Sequence, residues 1–227
     1  MPHGETSTLE GGVAEVWPDR VSIQDWVEPN VKIVIFDDTE AYHRRLIGRV
    51  MALENDPALA KSFPGYAGSS KIYHLDRWSC PEADLINRRA LELFKRTLGT
   101  RHAAVDLSWA NIYREGDYCL PHSHVRATGS IVYFLDLALD NDTGAGATGT
   151  GRFCFADPRL KVCCQEEPLA MTTPIGPIAR DGMMIMFPGK LVHMVDVFRR
   201  PGPRITLAWN INEHAVPGSP LPDSRSA

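Results

Sequence analysis

The hydrophobic pattern divides the chain into two regions, and the first mixes strands with helices. A short β-branched run over residues 31–36 predicts a buried strand. Two segments with apolar residues at helical spacing follow it. The first is predicted to begin at an N-cap supplied by Asp37 or Asp38 and to run to about Asn55. The second is predicted over 80–99, with proline in its first turn and glycine at its end.

The second region, from residue 103 onward, consists of apolar runs separated by turn residues. Many short strands with little helix indicate a sandwich or a barrel. The glycine-rich segment 140–151 lacks the lysine of a phosphate-binding loop and predicts a flexible connection. The predicted strands are 104–113, 118–123, 129–137, 152–156, 168–173, 182–187, 190–198 and 203–211.

Composition narrows the class of protein. The 227 residues are 44% hydrophobic and 23% charged, which is typical of a globular protein, and we expect one domain over 1–227. A net charge of -4 argues against nucleic-acid binding, and no apolar run is long enough to cross a membrane. The start of the chain lacks the pattern of a signal peptide, and the five cysteines form no CxxC pair. These features favour a cytoplasmic protein with reduced thiols.

Three histidines form a candidate metal site. His122 and His124 make an H-x-H pair in a predicted strand, where a spacing of two places both imidazoles on one face. Two imidazoles do not hold an ion firmly, so we expect a third ligand from a distant segment. His193, in the predicted strand 190–198, is the best candidate.

Arg204 follows His193 in the sequence, at a spacing that suits a small ligand in contact with both the metal and the arginine. If residues 199–203 form a hairpin turn, Arg204 faces the same way as His193 and lies roughly 13 Å further along. A small dicarboxylate bound to the metal at one end would span that gap and meet the planar guanidinium at the other. Thr206, on the same face, would add a hydroxyl donor.

These segments together resemble a known enzyme family. The relevant sequence is Tyr113-Arg-Glu-Gly-Asp-Tyr-Cys-Leu-Pro-His122-Ser-His124, then Gly182-Met-Met-Ile-Met-Phe-Pro188, His193, and Arg204-Ile-Thr206-Leu-Ala-Trp209-Asn210. It is similar to the prolyl-hydroxylase-like branch of the iron(II)/2-oxoglutarate-dependent oxygenases. The likeness covers about residues 107–212.

The resemblance implies a mainly β protein with flanking helices. Its core would be a double-stranded β-helix, a cupin-like jelly roll, over 103–212. Residues 1–102 would form an N-terminal α/β buttress and 213–227 a flexible tail. The resemblance also implies Fe(II) as the metal and 2-oxoglutarate as the cosubstrate.

Individual roles follow from the same resemblance. His122 and His193 would bind the iron, while Arg204 and Thr206, with Tyr113 as a further donor, would bind the distal carboxylate of 2-oxoglutarate. The chain departs from the family at His124, which stands where the family usually has aspartate. Three neutral imidazoles make the site more positive than two imidazoles and a carboxylate. Asp117 is a weaker candidate for a substitute carboxylate.

The favoured reaction is an O2-dependent oxidation of a C–H bond, such as a hydroxylation, in a small-molecule or peptide substrate. One alternative is a cupin-like three-histidine dioxygenase that uses no 2-oxoglutarate; the R-x-T motif disfavours it. Another is a non-catalytic jelly-roll module that keeps a structural metal. The substrate stays unidentified, and a homodimer is possible.

Overall fold

A computed structural model of the protein describes residues 5–10, 12–62, 69–138, 150–160, 163 and 174–215. Two α-helices, two short 3-10 turns and thirteen strands make up this part of the chain. The helices are α1 (His43–Glu54) and α2 (Pro81–Leu98), and the 3-10 turns are Thr39–Ala41 and Leu75–Arg77. The strands are β1 (Thr6–Leu9), β2 (Gly12–Glu15), β3 (Gln24–Trp26), β4 (Glu28–Ile35), β5 (Ala60–Ser62), β6 (Ser70–Tyr73), β7 (Ala104–Tyr113), β8 (Cys119–His122), β9 (Gly129–Asp136), β10 (Phe153–Phe155), β11 (Met183–Pro188), β12 (His193–Val195) and β13 (Arg204–Asn212).

Eight strands form a major antiparallel sheet in the order β3-β4-β11-β9-β13-β7-β6-β5. Side chains alternate between its two faces, because successive residues of a strand point in opposite directions. One face packs against both helices: Leu207 and Trp209 of β13 join Leu46 of α1 and Phe94 of α2 in a single apolar core. The opposite face looks into the interior of the barrel. All nine residues of β13 are buried, as expected for a strand covered on both sides.

A minor sheet of three strands, in the order β10-β12-β8, closes the barrel. Phe153 and Phe155 of this sheet pack against Phe134 and Phe187 of the major sheet. Two antiparallel sheets facing each other around an apolar interior confirm the predicted mainly β fold and its double-stranded β-helix. Four N-terminal strands, β3 to β6, extend both edges of the major sheet.

The predicted ends are observed for one of the two helices, and the predicted start of the other is not. Pro81 opens α2 and Gly99, in a left-handed conformation, ends it as predicted. The N-cap predicted at Asp37 or Asp38 for α1 is wrong, since the α-helix begins at His43 without a side-chain cap. Asp38 instead receives two hydrogen bonds, of 3.0 and 2.6 Å, from the fully buried guanidinium of Arg89.

The predicted hairpin between His193 and Arg204 is also wrong. Strand β12 pairs with β8 and β10 in the minor sheet, whereas β13 pairs with β7 and β9 in the major sheet. The intervening segment carries the chain from one wall of the barrel to the other. Pro201 and Pro203 favour this crossing, because proline cannot donate the N–H that a hairpin ladder would need.

Other predictions are matched in part or lie outside the described residues. The strands predicted at 104–113 and 203–211 are observed almost residue for residue as β7 and β13. The predicted strand 168–173, nearly all of the segment 140–151 and nearly all of the tail 213–227 lie outside the described ranges. Within those ranges, no helix is both long and apolar enough to span a membrane.

Candidate metal and cosubstrate site

The three predicted histidines meet inside the barrel, at the minor sheet. Their ring centroids are 4.3 Å apart for His122 and His193, 5.0 Å for His122 and His124, and 5.1 Å for His124 and His193. One nitrogen from each ring lies within 4.8 Å of the other two. A single ion can therefore contact all three imidazoles.

The strand pairing places two of these rings side by side. His193 of β12 lies directly opposite His122 of β8, so the two side chains share a face of the minor sheet. The Nδ1 of His122 lies 2.8 Å from the carbonyl of Leu120, and that of His193 lies 2.9 Å from the carbonyl of Leu191. Because a carbonyl only accepts, each Nδ1 carries the hydrogen and each Nε2 keeps its lone pair for a metal.

His124 reaches the cluster from a turn and not from a strand, which corrects the predicted placement of the H-x-H pair. Strand β8 ends at His122, and the backbone N–H of His124 donates to the carbonyl of Gly189 at 2.6 Å. Gly189 fits tightly here: a Cβ at this position would lie 2.7 Å from the His124 carbonyl oxygen and 2.4 Å from that of Ala127. A glycine is thus required for the approach that positions His124.

Burial keeps these imidazoles uncharged. It lowers the pKa of His124 to about 3, and it lowers the pKa of His122 and of His193 below the ordinary value as well. Phe187 and Phe153 surround His193 at ring distances of 4.7 and 5.7 Å. Three neutral nitrogen donors in a largely apolar surrounding suit iron, zinc, copper or nickel.

The inner face of the major sheet lines the same cavity with the predicted cosubstrate residues. Arg204 of β13 lies opposite Tyr113 of β7, and its guanidinium carbon is 5.2 Å from the Tyr113 ring centroid. Thr206, two residues further along, accepts a hydrogen bond from Asn111 at 3.4 Å. All six predicted site residues line one cavity.

Arg204 is the most unusual of these side chains. It is 2% exposed, and its Nη1 has no hydrogen-bond partner in the described part of the chain. Burial lowers its pKa, and the nearby Asp181 carboxyl, whose own pKa burial raises to about 6, offsets that effect only in part. A buried guanidinium with an orphan donor is costly unless a ligand supplies the acceptor.

Two residues of the cavity wall were not predicted from the sequence. Lys71 of β6 lines the cavity, and its Nζ lies 5.5 Å from the centroid of the Trp109 ring. That ring is in turn 5.6 Å from the ring of His124. The only signal in the sequence was the alternation along short strands, which does not say which strands border the barrel interior. Asp117, the candidate substitute ligand, instead accepts a 2.7 Å hydrogen bond from the backbone of Arg114 in a turn.

Comparison with known proteins agrees with this geometry. Residues 107–210 match the family model described as "Putative 2OG-Fe(II) oxygenase". No curated protein matches the sequence significantly.

Solved structures share the fold at low sequence identity. An oxidoreductase of the 2OG-Fe(II) oxygenase family from Burkholderia pseudomallei is 17% identical, with 82% of this chain and 87% of that chain covered and a TM-score of 0.52. A prolyl-4-hydroxylase from Pseudomonas putida is 14% identical over 81% and 93% of the two chains, with a TM-score of 0.54. The epimerase SnoN, in complex with Fe3+, alpha ketoglutarate and nogalamycin RO, is 11% identical over 87% and 88%, with a TM-score of 0.61.

Proposed function

Since residues 107–210 belong to the 2OG-Fe(II) oxygenase family, we propose that the chain is an oxidoreductase that binds Fe(II) through His122, His124 and His193. 2-Oxoglutarate is its cosubstrate and O2 its oxidant. The reaction we propose is hydroxylation, or a related oxidation, of a C–H bond in a small-molecule or peptide substrate.

One observation carries the proposal: the buried Arg204 has a donor to which no described residue offers an acceptor, and it lines the same cavity as the three imidazoles. A dicarboxylate with its 2-oxo acid end on the metal and its other end on Arg204 satisfies both. The guanidinium gives that distal carboxylate two parallel hydrogen bonds, which a lysine could not.

When bound, the Fe(II) supplies O2 activation coupled to oxidative decarboxylation of 2-oxoglutarate to succinate and CO2. The protein's own residues prepare the cavity for this chemistry. His122 and His193 present fixed Nε2 lone pairs, because the Leu120 and Leu191 carbonyls hold the Nδ1 hydrogens. Thr206 and Tyr113 flank the guanidinium of Arg204 and assist in orienting the distal carboxylate. Phe153 and Phe187 limit the entry of water around His193.

The three-histidine donor set gives weight to a second reaction class, a cupin-like dioxygenase that uses no 2-oxo acid. Arg204 disfavours it, since such an enzyme has no dicarboxylate to place on a buried guanidinium. A non-catalytic module with a structural metal is the third possibility. Cytoplasmic location and a homodimeric state stay predictions.

The deciding experiment is an anaerobic Fe(II) titration with and without 2-oxoglutarate, followed in the visible spectrum. We expect a metal-to-ligand charge-transfer band only when both are present, because the band requires a 2-oxo acid chelated to Fe(II). Iron binding without the band would contradict a 2-oxoglutarate oxygenase. O2 uptake then separates the alternatives: uptake stimulated by 2-oxoglutarate supports the proposal, and uptake on a substrate without it supports the second class.

A further inference from the structure

A relay of hydrogen bonds runs along the inner face of the major sheet, from the metal ligands to the cosubstrate residues. The indole N–H of Trp109 donates to Oδ1 of Asn111 at 3.1 Å, and Nδ2 of Asn111 donates to Oγ1 of Thr206 at 3.4 Å. The indole ring also lies 5.6 Å from the ring of His124. All three members of the relay are more than nine-tenths buried. The relay therefore links the surroundings of the third histidine to the residue beside Arg204.

The pairing of β7 with β13 builds this relay. Trp109 and Asn111 are two residues apart on β7, so their side chains share a face. Asn111 lies directly opposite Thr206 on β13, and Trp109 lies opposite Ala208 and packs against it. Side chains directly opposite one another on antiparallel strands are close enough to interact. Strand register thus holds the relay in place, and no loop is needed to form it.

The chemistry of the three side chains fixes the direction of the relay. An indole N–H can only donate, so the atom of the Asn111 amide that faces it must be the oxygen. The amide nitrogen then faces Thr206 and donates to its hydroxyl oxygen. A hydroxyl that accepts on this side keeps its own hydrogen for another acceptor. Without the indole, the Asn111 amide could turn over, and the Thr206 hydroxyl would then donate to Asn111.

A hydroxyl hydrogen that Asn111 does not use suits the ligand proposed for this pocket. Thr206 and Arg204 are alternate residues of β13, so they share its inner face, and both line the cavity. A carboxylate only accepts hydrogen bonds, so it binds a hydroxyl that is free to donate and is repelled by one that presents only lone pairs. Hydrogen bonds to an ionised acceptor are also stronger than those between neutral groups.

We infer that Trp109 and Asn111 are positioning residues for the cosubstrate: they hold the Thr206 hydroxyl as a donor to the distal carboxylate of 2-oxoglutarate. The inference rests on the proposed function and adds to it how the site selects a dicarboxylic 2-oxo acid. Arg204 supplies the charge, and the relay supplies a second donor of fixed direction. A 2-oxo acid without a distal carboxylate gains nothing from the relay.

The test is a double-mutant cycle on the full chain, loaded anaerobically with Fe(II) after the charge-transfer band has been observed. Trp109→Phe keeps a ring beside His124 but removes the N–H, Thr206→Val keeps the shape but removes the hydroxyl, and a third protein carries both changes. The band gives the 2-oxoglutarate affinity. We expect Thr206→Val to weaken binding by roughly 10- to 150-fold, the range for hydrogen bonds to charged groups. Trp109→Phe, which frees the amide to turn, should weaken it by roughly 2- to 10-fold.

The relay predicts that these two effects are coupled. In the Thr206→Val background, Trp109→Phe should weaken binding by less than about 2-fold, because no hydroxyl is left to orient. Thr206→Ser, which keeps a hydroxyl, should restore most of the affinity and its dependence on Trp109. Effects of the two substitutions that simply multiply would overturn the inference, and so would an unchanged affinity in Trp109→Phe.

A second ligand separates positioning of the cosubstrate from a general loss of structure. 2-Oxopentanoate has a methyl group where 2-oxoglutarate has its distal carboxylate, so Trp109→Phe should bind it as the parent does. An equal loss of affinity for both 2-oxo acids would assign Trp109 to the general structure of the cavity. If 2-oxopentanoate binds too weakly to give a band, the double-mutant cycle decides alone.

Asn111→Asp tests the amide itself. The new carboxylate has no N–H to donate, so the Thr206 hydroxyl would donate to it, and 2-oxoglutarate affinity should fall at least as far as in Thr206→Val. Asn87→Asp, on the outer face of the sheet, is the matched control. Asn87 likewise accepts from an indole, that of Trp209 at 2.5 Å, and donates to the carbonyl of Leu75 at 3.2 Å. This control should lower the melting temperature but leave 2-oxoglutarate affinity unchanged, whereas an unchanged affinity in Asn111→Asp would contradict the relay.

Failure of this inference is distinguishable from failure of the proposed function. Absence of the charge-transfer band in the parent protein would remove the proposed function. A band that appears in the parent and titrates identically in Trp109→Phe and Asn111→Asp would leave the proposed function standing and remove the relay.

Discussion

The two walls of the cavity are built differently. The minor sheet, which carries the proposed iron ligands, consists of strands only three or four residues long, and one ligand lies in a turn beyond its strand. The major sheet, which carries Arg204, Thr206 and Tyr113, contains strands of nine and ten residues that pair along their length, with one register shift between Asn210 and Ile211. Metal binding therefore depends on local turn geometry, whereas cosubstrate binding depends on strand register.

Because the two walls are built differently, iron binding and 2-oxoglutarate binding should respond to different substitutions. A change in the minor sheet should affect iron first, and cosubstrate only through the loss of iron. A change in the inner face of the major sheet should leave iron in place and affect 2-oxoglutarate alone. Each prediction below tests that separation, beginning with the largest expected effect.

Replacing His193 by alanine should abolish most iron affinity. The loss should exceed the roughly 10- to 100-fold that is typical of removing a residue that only orients a metal ligand, because here the ligating nitrogen itself is removed. Calorimetric titration with Fe(II) under anaerobic conditions measures it, and circular dichroism checks that the fold survives. His102→Ala, away from the cavity, is the matched control and should bind iron as the parent does. Equal iron stoichiometry in both variants would remove His193 from the ligand set.

Arg204→Lys should weaken 2-oxoglutarate binding by roughly 10- to 150-fold, because a point charge cannot reproduce a two-bond fork. Iron affinity should stay at the parent value, since Arg204 belongs to the other wall. The charge-transfer band, titrated with 2-oxoglutarate at fixed Fe(II), reports both quantities. Arg200→Lys, in the crossing segment nearby, serves as control. An unchanged 2-oxoglutarate affinity in Arg204→Lys would give Arg204 a structural role.

Gly189→Ala should lower iron affinity without touching any donor atom. The added methyl would press on the backbone of Ala127 and His124 and displace the turn that presents the His124 ring. We expect a loss of roughly 10- to 100-fold, as for other residues that orient metal ligands. Gly48→Ala, in α1 with open space around it, is the matched glycine control. Parent-like iron binding in Gly189→Ala would show that the turn does not control the site.

Among the substitutions around the iron ligands, His124→Asp should have the smallest effect on iron. It restores the family's two-histidine, one-carboxylate donor set, so Fe(II) binding should persist, weakened because aspartate is shorter than histidine. Coupling between 2-oxoglutarate decarboxylation and substrate oxidation should change, measured as succinate formed per substrate oxidised. His124→Ala should bind iron more weakly through the remaining two imidazoles. Iron affinity indifferent to both substitutions, with a crystal structure showing the ring turned away from the ion, would exclude His124 as a ligand.

Much of the site was visible in the sequence because its residues lie in recognisable local patterns. The H-x-H pair, His193 and the R-x-T motif were all predicted, and the structure brings them to one cavity. The strands β7 and β13 were predicted closely because their apolar runs are long. The connection from β12 to β13 was not predicted, since the hairpin expected at 199–203 is a crossing from the minor to the major sheet.

The features that could not be predicted from the sequence depend on neighbours that are distant in the chain. Lys71 looks like any surface lysine in a short strand, and only the pairing of β6 with β7 turns it toward the interior. Gly189 carries no motif that marks its contact with the His124 turn. Asp38 appeared to be a helix cap because the buried Arg89, its actual partner, lies far away in the chain.

The position of β13 has a consequence for biosynthesis. Strand β13 lies at the centre of the major sheet, between β9 and β7, which both precede it in the chain and are made earlier. Until β13 has been made, those two strands have open edges, and open edges invite pairing with other chains. The nascent chain is therefore exposed to aggregation in the interval between the synthesis of β9 and that of β13. Arg204 reaches the cavity only when that gap closes, so cosubstrate binding cannot begin before β13 is in place.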